Sequence, residues 1–97
     1  MGELESLLVQ MVKDLEETAW KFHGYAYPRT IRNILIGKED AEIAPNFKGK
    51  PYHGIASKDL KIVDASDILD GMVAKGYLDS FISDRNVHYN KRYTIPA

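Results

Sequence analysis

The chain of 97 residues contains no cysteine. That absence excludes a disulfide framework, a thiolate zinc site and a cysteine nucleophile, and it suits a reducing compartment. An excess of either charge is missing as well, with 13 Lys and Arg against 14 Asp and Glu and a formal net charge of -1. The simplest argument for a nucleic-acid partner, a strongly basic chain, therefore fails, and any such partner has to be argued from where the charges sit. No apolar run approaches the roughly 20 residues of a membrane span, and the start of the chain lacks the basic flank and apolar stretch of a signal peptide. These features predict a cytoplasmic protein, nucleoid-associated if bacterial, with no membrane partner. At this length one domain spans 1–97, with room for a modest core but not for a deep cofactor cavity beside it.

Catalytic patterns are equally scarce. His23, His53 and His88 lie far apart, and none has a second His at the helical spacing that metal ligands use. Gly49, Lys50 and Gly54 lack the spacing and the following Lys-Ser or Lys-Thr of a phosphate-binding loop, and Ser57 has no nucleophile elbow around it. Asp64, Asp67 and Asp70 fall close together, but a helix cap and an exposed helix face account for them better than a carboxylate pair working as acid and base. The residues point away from an enzyme, a metal, a cofactor and a small-molecule substrate.

What is present is periodicity. Leu4, Leu7, Leu8, Met11, Leu15, Ala19 and Phe22 recur at intervals of three and four, which predicts a helix over 3–22 with Glu3, Glu5, Asp14, Glu16 and Glu17 on its outer face and Gly24 as its stop. Pro28 suits the first turn of a second helix that buries Ile31, Ile34 and Leu35, turns Arg29, Arg32 and Asn33 outward, and stops at Gly37. A helical turn from Asp40 to Ile43 and a loop rich in Pro and Gly through Gly54 come next. Leu60 to Val63 reads as a short strand. Asp64 reads as the N-cap of a third helix that carries Ile68, Leu69, Met72 and Val73 and closes at Gly76. Leu78 to Ser83 and Tyr89 to Ile95 then flank a turn at Asp84, Arg85 and Asn86, giving a hairpin in which Tyr89, Lys91, Tyr93 and Ile95 alternate with His88, Asn90, Arg92 and Thr94. The order predicts an α+β domain of the winged-helix kind: a three-helix helix-turn-helix core, a short strand, and a C-terminal β-hairpin as the wing.

Charge placement says more than charge total. Between Lys21 and Lys61 the bases Lys21, Arg29, Arg32, Lys38, Lys48, Lys50, Lys58 and Lys61 outnumber Glu39, Asp40, Glu42 and Asp59. After Asp84 come Arg85, Lys91 and Arg92 with no further acid. Acid collects on the first and third helices, so folding can separate a basic face from an acidic one, as a nucleic-acid binder of near-zero net charge requires. Scattered lysines that only keep a small domain soluble would read the same way. Among the aromatics, Tyr89 stands near the turn, where a base could stack on it, whereas Tyr93 and Phe81 read as hairpin residues covering the helices.

Three segments carry a family likeness: IRNILIGKEDAEI (Ile31 to Ile43), YHGIASKD (Tyr52 to Asp59) and ILDGMVAKGYLDS (Ile68 to Ser80). In kind, order and spacing they resemble the RecQ C-terminal domain, the winged helix that follows the motor of RecQ-family DNA helicases. The chain differs from that pattern at Ile36, Lys38 and His53, where the family has Arg, Ser or Thr, and no intervening residue. The resemblance implies a non-catalytic domain that holds duplex, fork or junction DNA by its phosphates, with the wing at the strand junction and a helicase motor in cis or in trans. Carried over by position, Lys38, Ser57 and Lys58 become phosphate contacts, and Arg85, Asn86, His88 and Tyr89 become wing-tip contacts; Arg29, Lys91 and Arg92 complete the expected basic surface. Two other readings stand beside this one. The first is a winged helix that docks a protein through an exposed apolar or acidic face. The second is a transcription regulator that inserts its third helix in a major groove, which Asp64, Asp67 and Asp70 disfavour because they would face phosphates.

Overall fold

The computed structural model describes residues 1–22, 26–39, 47–83 and 90–97. The expected stop at Gly24, the turn from Asp40 to Ile43 and the hairpin turn at Asp84, Arg85 and Asn86 lie outside the described residues. Helix α1 covers Glu3–Phe22, α2 Pro28–Leu35 and α3 Ile62–Ala74; strands β1 (Asp79–Ser83) and β2 (Asn90–Thr94) form an antiparallel hairpin. The domain is α+β, and among the described residues no helix is long and apolar enough to cross a membrane.

The core forms where the helical stripes meet the hairpin. Leu8, Met11, Val12 and Leu15 of α1 pack with Ile31, Ile34 and Leu35 of α2, with Leu69 and Met72 of α3, and with Leu78 and Tyr93 of the hairpin. Phe47 and Tyr52 enter the same core from the connecting segment. Val12 was not on the predicted stripe, and Leu4, which was, remains 44% exposed. A larger departure concerns Asp14, predicted on the outer face but buried. Its carboxylate accepts the Tyr52 hydroxyl at 2.5 Å and the Gln10 amide at 3.0 Å, with the Lys50 ammonium 3.7 Å away. Burial of a charged group is tolerable when donors surround it, and this set supplies them. Burial, followed by the neighbouring carboxylate, pushes the Tyr52 hydroxyl well above the ordinary tyrosine range, so it remains a donor.

The third helix starts earlier than the sequence suggested. Leu60 to Val63 forms no strand: Ile62 and Val63 are the first turn of α3, Lys61 is the N-cap, and Asp64 sits at the third helical position. The Asp64 carboxylate reaches back to accept the Lys61 N–H at 3.3 Å, so it caps the helix end from inside. Leu60 is closed into a turn by its N–H to the Ser57 carbonyl at 3.0 Å, and its own carbonyl accepts Arg32 Nε at 2.9 Å. With these backbone groups occupied, the segment has no edge to pair, and the β-branched residues are carried into the helix. Arg32, expected to face outward, is half-buried by the same bond. The third strand-like contact comes from elsewhere, an isolated bridge in which Tyr93 N–H donates to the Ala26 carbonyl at 2.9 Å.

Two glycines show how α2 is joined to the connecting segment. Gly37 (φ 75°) ends α2 with its N–H on the Ile34 carbonyl and the Lys38 N–H on the Asn33 carbonyl, the paired bonds of a Schellman end. Gly54 and Ala56 then donate to the Ile34 and Leu35 carbonyls at 2.9 and 2.8 Å, which satisfies helix-end acceptors and clamps the segment onto α2. The approach is close: a Cβ on Gly37 would lie 3.2 Å from the Gly54 Cα. Gly76 ends α3 in the same conformation (φ 79°) but with open space around it.

Gly76→Ala should therefore lose only the left-handed backbone term, about 1 kcal/mol. Gly37→Ala adds a backbone collision and should lose at least about 1 kcal/mol more. Tyr52→Phe should cost about 1–3 kcal/mol by removing a buried donor from Asp14. Chemical denaturation of the three variants measures all of these.

Candidate nucleic-acid interface

The cation positions follow from the ends of α2 and the start of α3. Arg29 stands exposed in the first turn of α2, whose N-cap residue Tyr27 makes no side-chain cap and whose first turn holds no acid. Lys38 follows the glycine end of the same helix and is exposed. Ser57 and Lys58 form the turn before α3, both exposed. The Ser57 hydroxyl is held by Asp59, accepting its N–H at 3.2 Å and donating to its carboxylate at 3.3 Å, so the carried-over serine is already engaged. The clamp of Gly54 and Ala56 on Ile34 and Leu35 draws Lys38 and the Ser57–Lys58 turn toward one end of α2. Arg29 lies at the other end.

Bases differ sharply in whether they have an acid partner. Lys48 pairs with Glu39 at 3.3 Å, Lys75 with Glu5 at 3.1 Å, Lys91 with Asp70 at 2.6 Å, and Lys50 lies near Asp14. Among the described residues Arg29, Lys38, Lys58 and Lys61 have no ion pair, nor does Lys13 on α1. Three of these unpaired bases, Arg29, Lys38 and Lys58, are ones the sequence singled out.

The hairpin separates the remaining candidates. The register pairs Ser80 with Tyr93, Phe81 with Arg92 and Ile82 with Lys91. Tyr93 and Lys91 turn toward α3, where the Asp70 carboxylate accepts the Tyr93 hydroxyl and the Lys91 ammonium, each at 2.6 Å. Arg92 turns the other way, its guanidinium 5.0 Å from the Phe81 ring centroid. Lys91 and Arg92 therefore do not share a face. Phe81 does not cover the helices as predicted: it is 53% exposed, because its side of the ribbon points away from them. Arg85, Asn86, His88 and Tyr89 lie outside the described residues.

Arg29 and Lys91 meet in one place, a groove of about 530 Å³ between the start of α2, α3 and β2. Thr30, Ser66 and Asp70 add polar groups to its lining. A second groove, of about 210 Å³, is wholly apolar in its residues and runs between α1, α2 and α3, with Leu4, Ile55 and Ile68 at its exposed margin. The sequence reading missed this groove and Asp70 as a tie. The alternation of Lys91 and Tyr93 on one strand face was the available signal for an acid opposite them.

Burial pushes the Asp70 carboxyl up, but the hydrogen bonds from Lys91 and Tyr93 outweigh it and hold it below the ordinary 3.8. A lowered carboxyl contributes stability that is present above its unfolded pKa and lost as pH falls through the folded one. Asp70→Asn should cost about 1 kcal/mol near neutral pH, given its partial exposure, and should flatten the fall in stability below about pH 4. Thermal unfolding followed from pH 6 to pH 2.5 checks both. No family model, curated protein or solved structure matches the chain.

Proposed function

We propose that the chain is a winged-helix module that binds duplex, fork or junction DNA through its phosphates, resembles the RecQ C-terminal domain in doing so, and serves a helicase motor without catalysing a reaction itself. The observation that carries this reading is the set of unpaired, exposed bases Arg29, Lys38 and Lys58. Leaving cations unpaired at both ends of α2 and before α3, while Lys48, Lys50, Lys75 and Lys91 are held by acids, supports phosphate contact along that side. Lys91 contributes less, since a phosphate would have to displace Asp70 at 2.6 Å. The wing-tip contacts belong to the same proposal through the family resemblance alone.

A second reading, docking of a protein, is favoured by the apolar groove edged by Leu4, Ile55 and Ile68. Its exposed aliphatic margin is the kind of surface that a partner's apolar anchor fills.

Titration of the full chain against a blunt duplex at increasing salt separates the two. With about three to five phosphates neutralised, the log–log slope should lie near −3 to −5. Arg29→Ala, Lys38→Ala and Lys58→Ala should each reduce its magnitude by about one, and Lys91→Ala by less. Absence of binding at low salt sinks the DNA reading and leaves the docking one.

A further inference from the structure

The apolar groove between α1, α2 and α3 keeps its margin in water. Leu4 on α1, Ile55 on the connecting segment and Ile68 on α3 line it and are 44%, 45% and 37% exposed, whereas Leu8, Ile31 and Leu69 behind them are buried. Aliphatic side chains that converge on one opening forgo the burial that would reward them in a closed core. The two sides of the groove differ in charge. Glu3, exposed, stands beside Leu4 at the start of α1; Lys61, also exposed, follows Leu60, another lining residue, where the connecting segment meets α3. Among the described residues neither Glu3 nor Lys61 has an ion pair, in contrast to Glu5, which holds Lys75 at 3.1 Å between α1 and the end of α3. Asp64, near Lys61, is committed to the α3 cap through the Lys61 N–H.

We propose that this groove is a dimer interface, seating a second copy of the chain related by a two-fold axis. The proposal rests on the docking reading of the groove, names its occupant, and does not depend on the DNA reading. In a two-fold contact residue i of one copy meets residue j of the other and j meets i, so a surface is its own partner only if it carries both halves of each match. This one does. Leu4 on the α1 side supplies an aliphatic anchor, and the opening bordered by Ile55 and Ile68 supplies the socket for the other copy's Leu4. The same rotation brings Glu3 of each copy to Lys61 of the other, so that both charges find partners at the rim. A partner of one charge sign would meet like charge on one side of the groove, whereas a second copy meets opposite charge on both. An aliphatic centre with charge confined to its rim is the composition of a homodimer contact.

Sedimentation equilibrium of the full chain without DNA, from about 5 μM to about 1 mM, tests this across the weak range of protein association. The mass should rise from monomer to dimer over that span. Ile68→Asp, which puts a charge in the centre, should keep the chain monomeric; Ile82→Asp, at a more exposed isoleucine on the hairpin, should leave the dimer unchanged. Glu3→Lys and Lys61→Glu should each weaken the dimer about tenfold, because each creates two like-charge contacts. Mixing these two variants should restore the wild-type affinity, since every rim contact in the mixed dimer again joins opposite charges, a rescue that a folding defect would not show. A dimer that Ile68→Asp leaves intact, or a mixture no tighter than either variant alone, overturns the groove as the dimer interface. A chain that stays monomeric throughout overturns the second copy as its occupant. In that case, immobilised wild type that retains from a lysate a protein that Ile68→Asp does not retain keeps the docking reading with a different partner. Retention of none overturns the docking reading as well.

Discussion

The arrangement of the hairpin depends on one carboxylate. Asp70, on α3, accepts the Tyr93 hydroxyl and the Lys91 ammonium at 2.6 Å each, and Tyr93 is in turn 1% exposed and bridged to Ala26 through its backbone. A two-stranded ribbon is marginal by itself in water, so its orientation must be imposed by what it packs against. Here the tie fixes which strand face meets the helices, and by the period of two it fixes everything else on the ribbon. Lys91 goes inward and is neutralised; Phe81 and Arg92 go to the other face, where Phe81 is exposed and Arg92 half-buried. Burial and the adjacent carboxylate push the Tyr93 hydroxyl well above the ordinary tyrosine range, so the donor persists through any ordinary pH.

The elements were largely legible because their signals are local. Intervals of three and four placed α1, Pro28 and Gly37 bracketed α2, Gly76 closed α3, and the change of period after Tyr77 announced the hairpin. Much of what escaped was decided by distant partners. Asp14 looked like one more acid on an exposed face, yet Tyr52, far along the chain, brings a hydroxyl to it. Ile62 and Val63 looked like a strand because they are β-branched; the bonds of Leu60 to Ser57 and Arg32, and of Asp64 to Lys61, decide otherwise. The Asp14–Tyr52 and Arg32–Leu60 pairs span long stretches of chain, whereas the Ser57–Leu60 and Lys61–Asp64 bonds are local and are masked in the sequence by the β-branched run.

The candidate site was legible in part for the same reason. Arg29, Lys38 and Lys58 sit at helix ends, positions that punctuation residues mark, and such ends put long side chains in solvent. Whether a base has an acid partner is a tertiary fact, and it separates these three from Lys48, Lys50, Lys75 and Lys91. Phe81 shows the converse. Its residue type suggested burial, and only the register, which sets it opposite Arg92 and away from α3, exposes it.

Helix α3 divides the molecule, and its division explains how a chain of net charge -1 can present a basic edge. Ala65, Leu69 and Met72 are buried in the core. Ile68 borders the apolar groove, while Ile62, Ser66 and Asp70 border the polar one that also holds Arg29 and Lys91. The stretch Ile62–Ala74 contains Asp64, Asp67 and Asp70 but no base. A helix of that composition gains nothing by entering a groove lined with phosphates, because each carboxylate would meet like charge at short range. Arg29, Lys38, Lys58 and Lys61, all without an ion pair among the described residues, instead stand at its approach and at the two ends of α2. On the proposed reading, phosphate contact there would leave α3 outside the groove, with Asp70 still engaged by Tyr93 and Lys91. The acid on α3 thus serves to hold the hairpin, and on the proposed reading the phosphates would meet the edge where Arg29, Lys38 and Lys58 stand without acid partners.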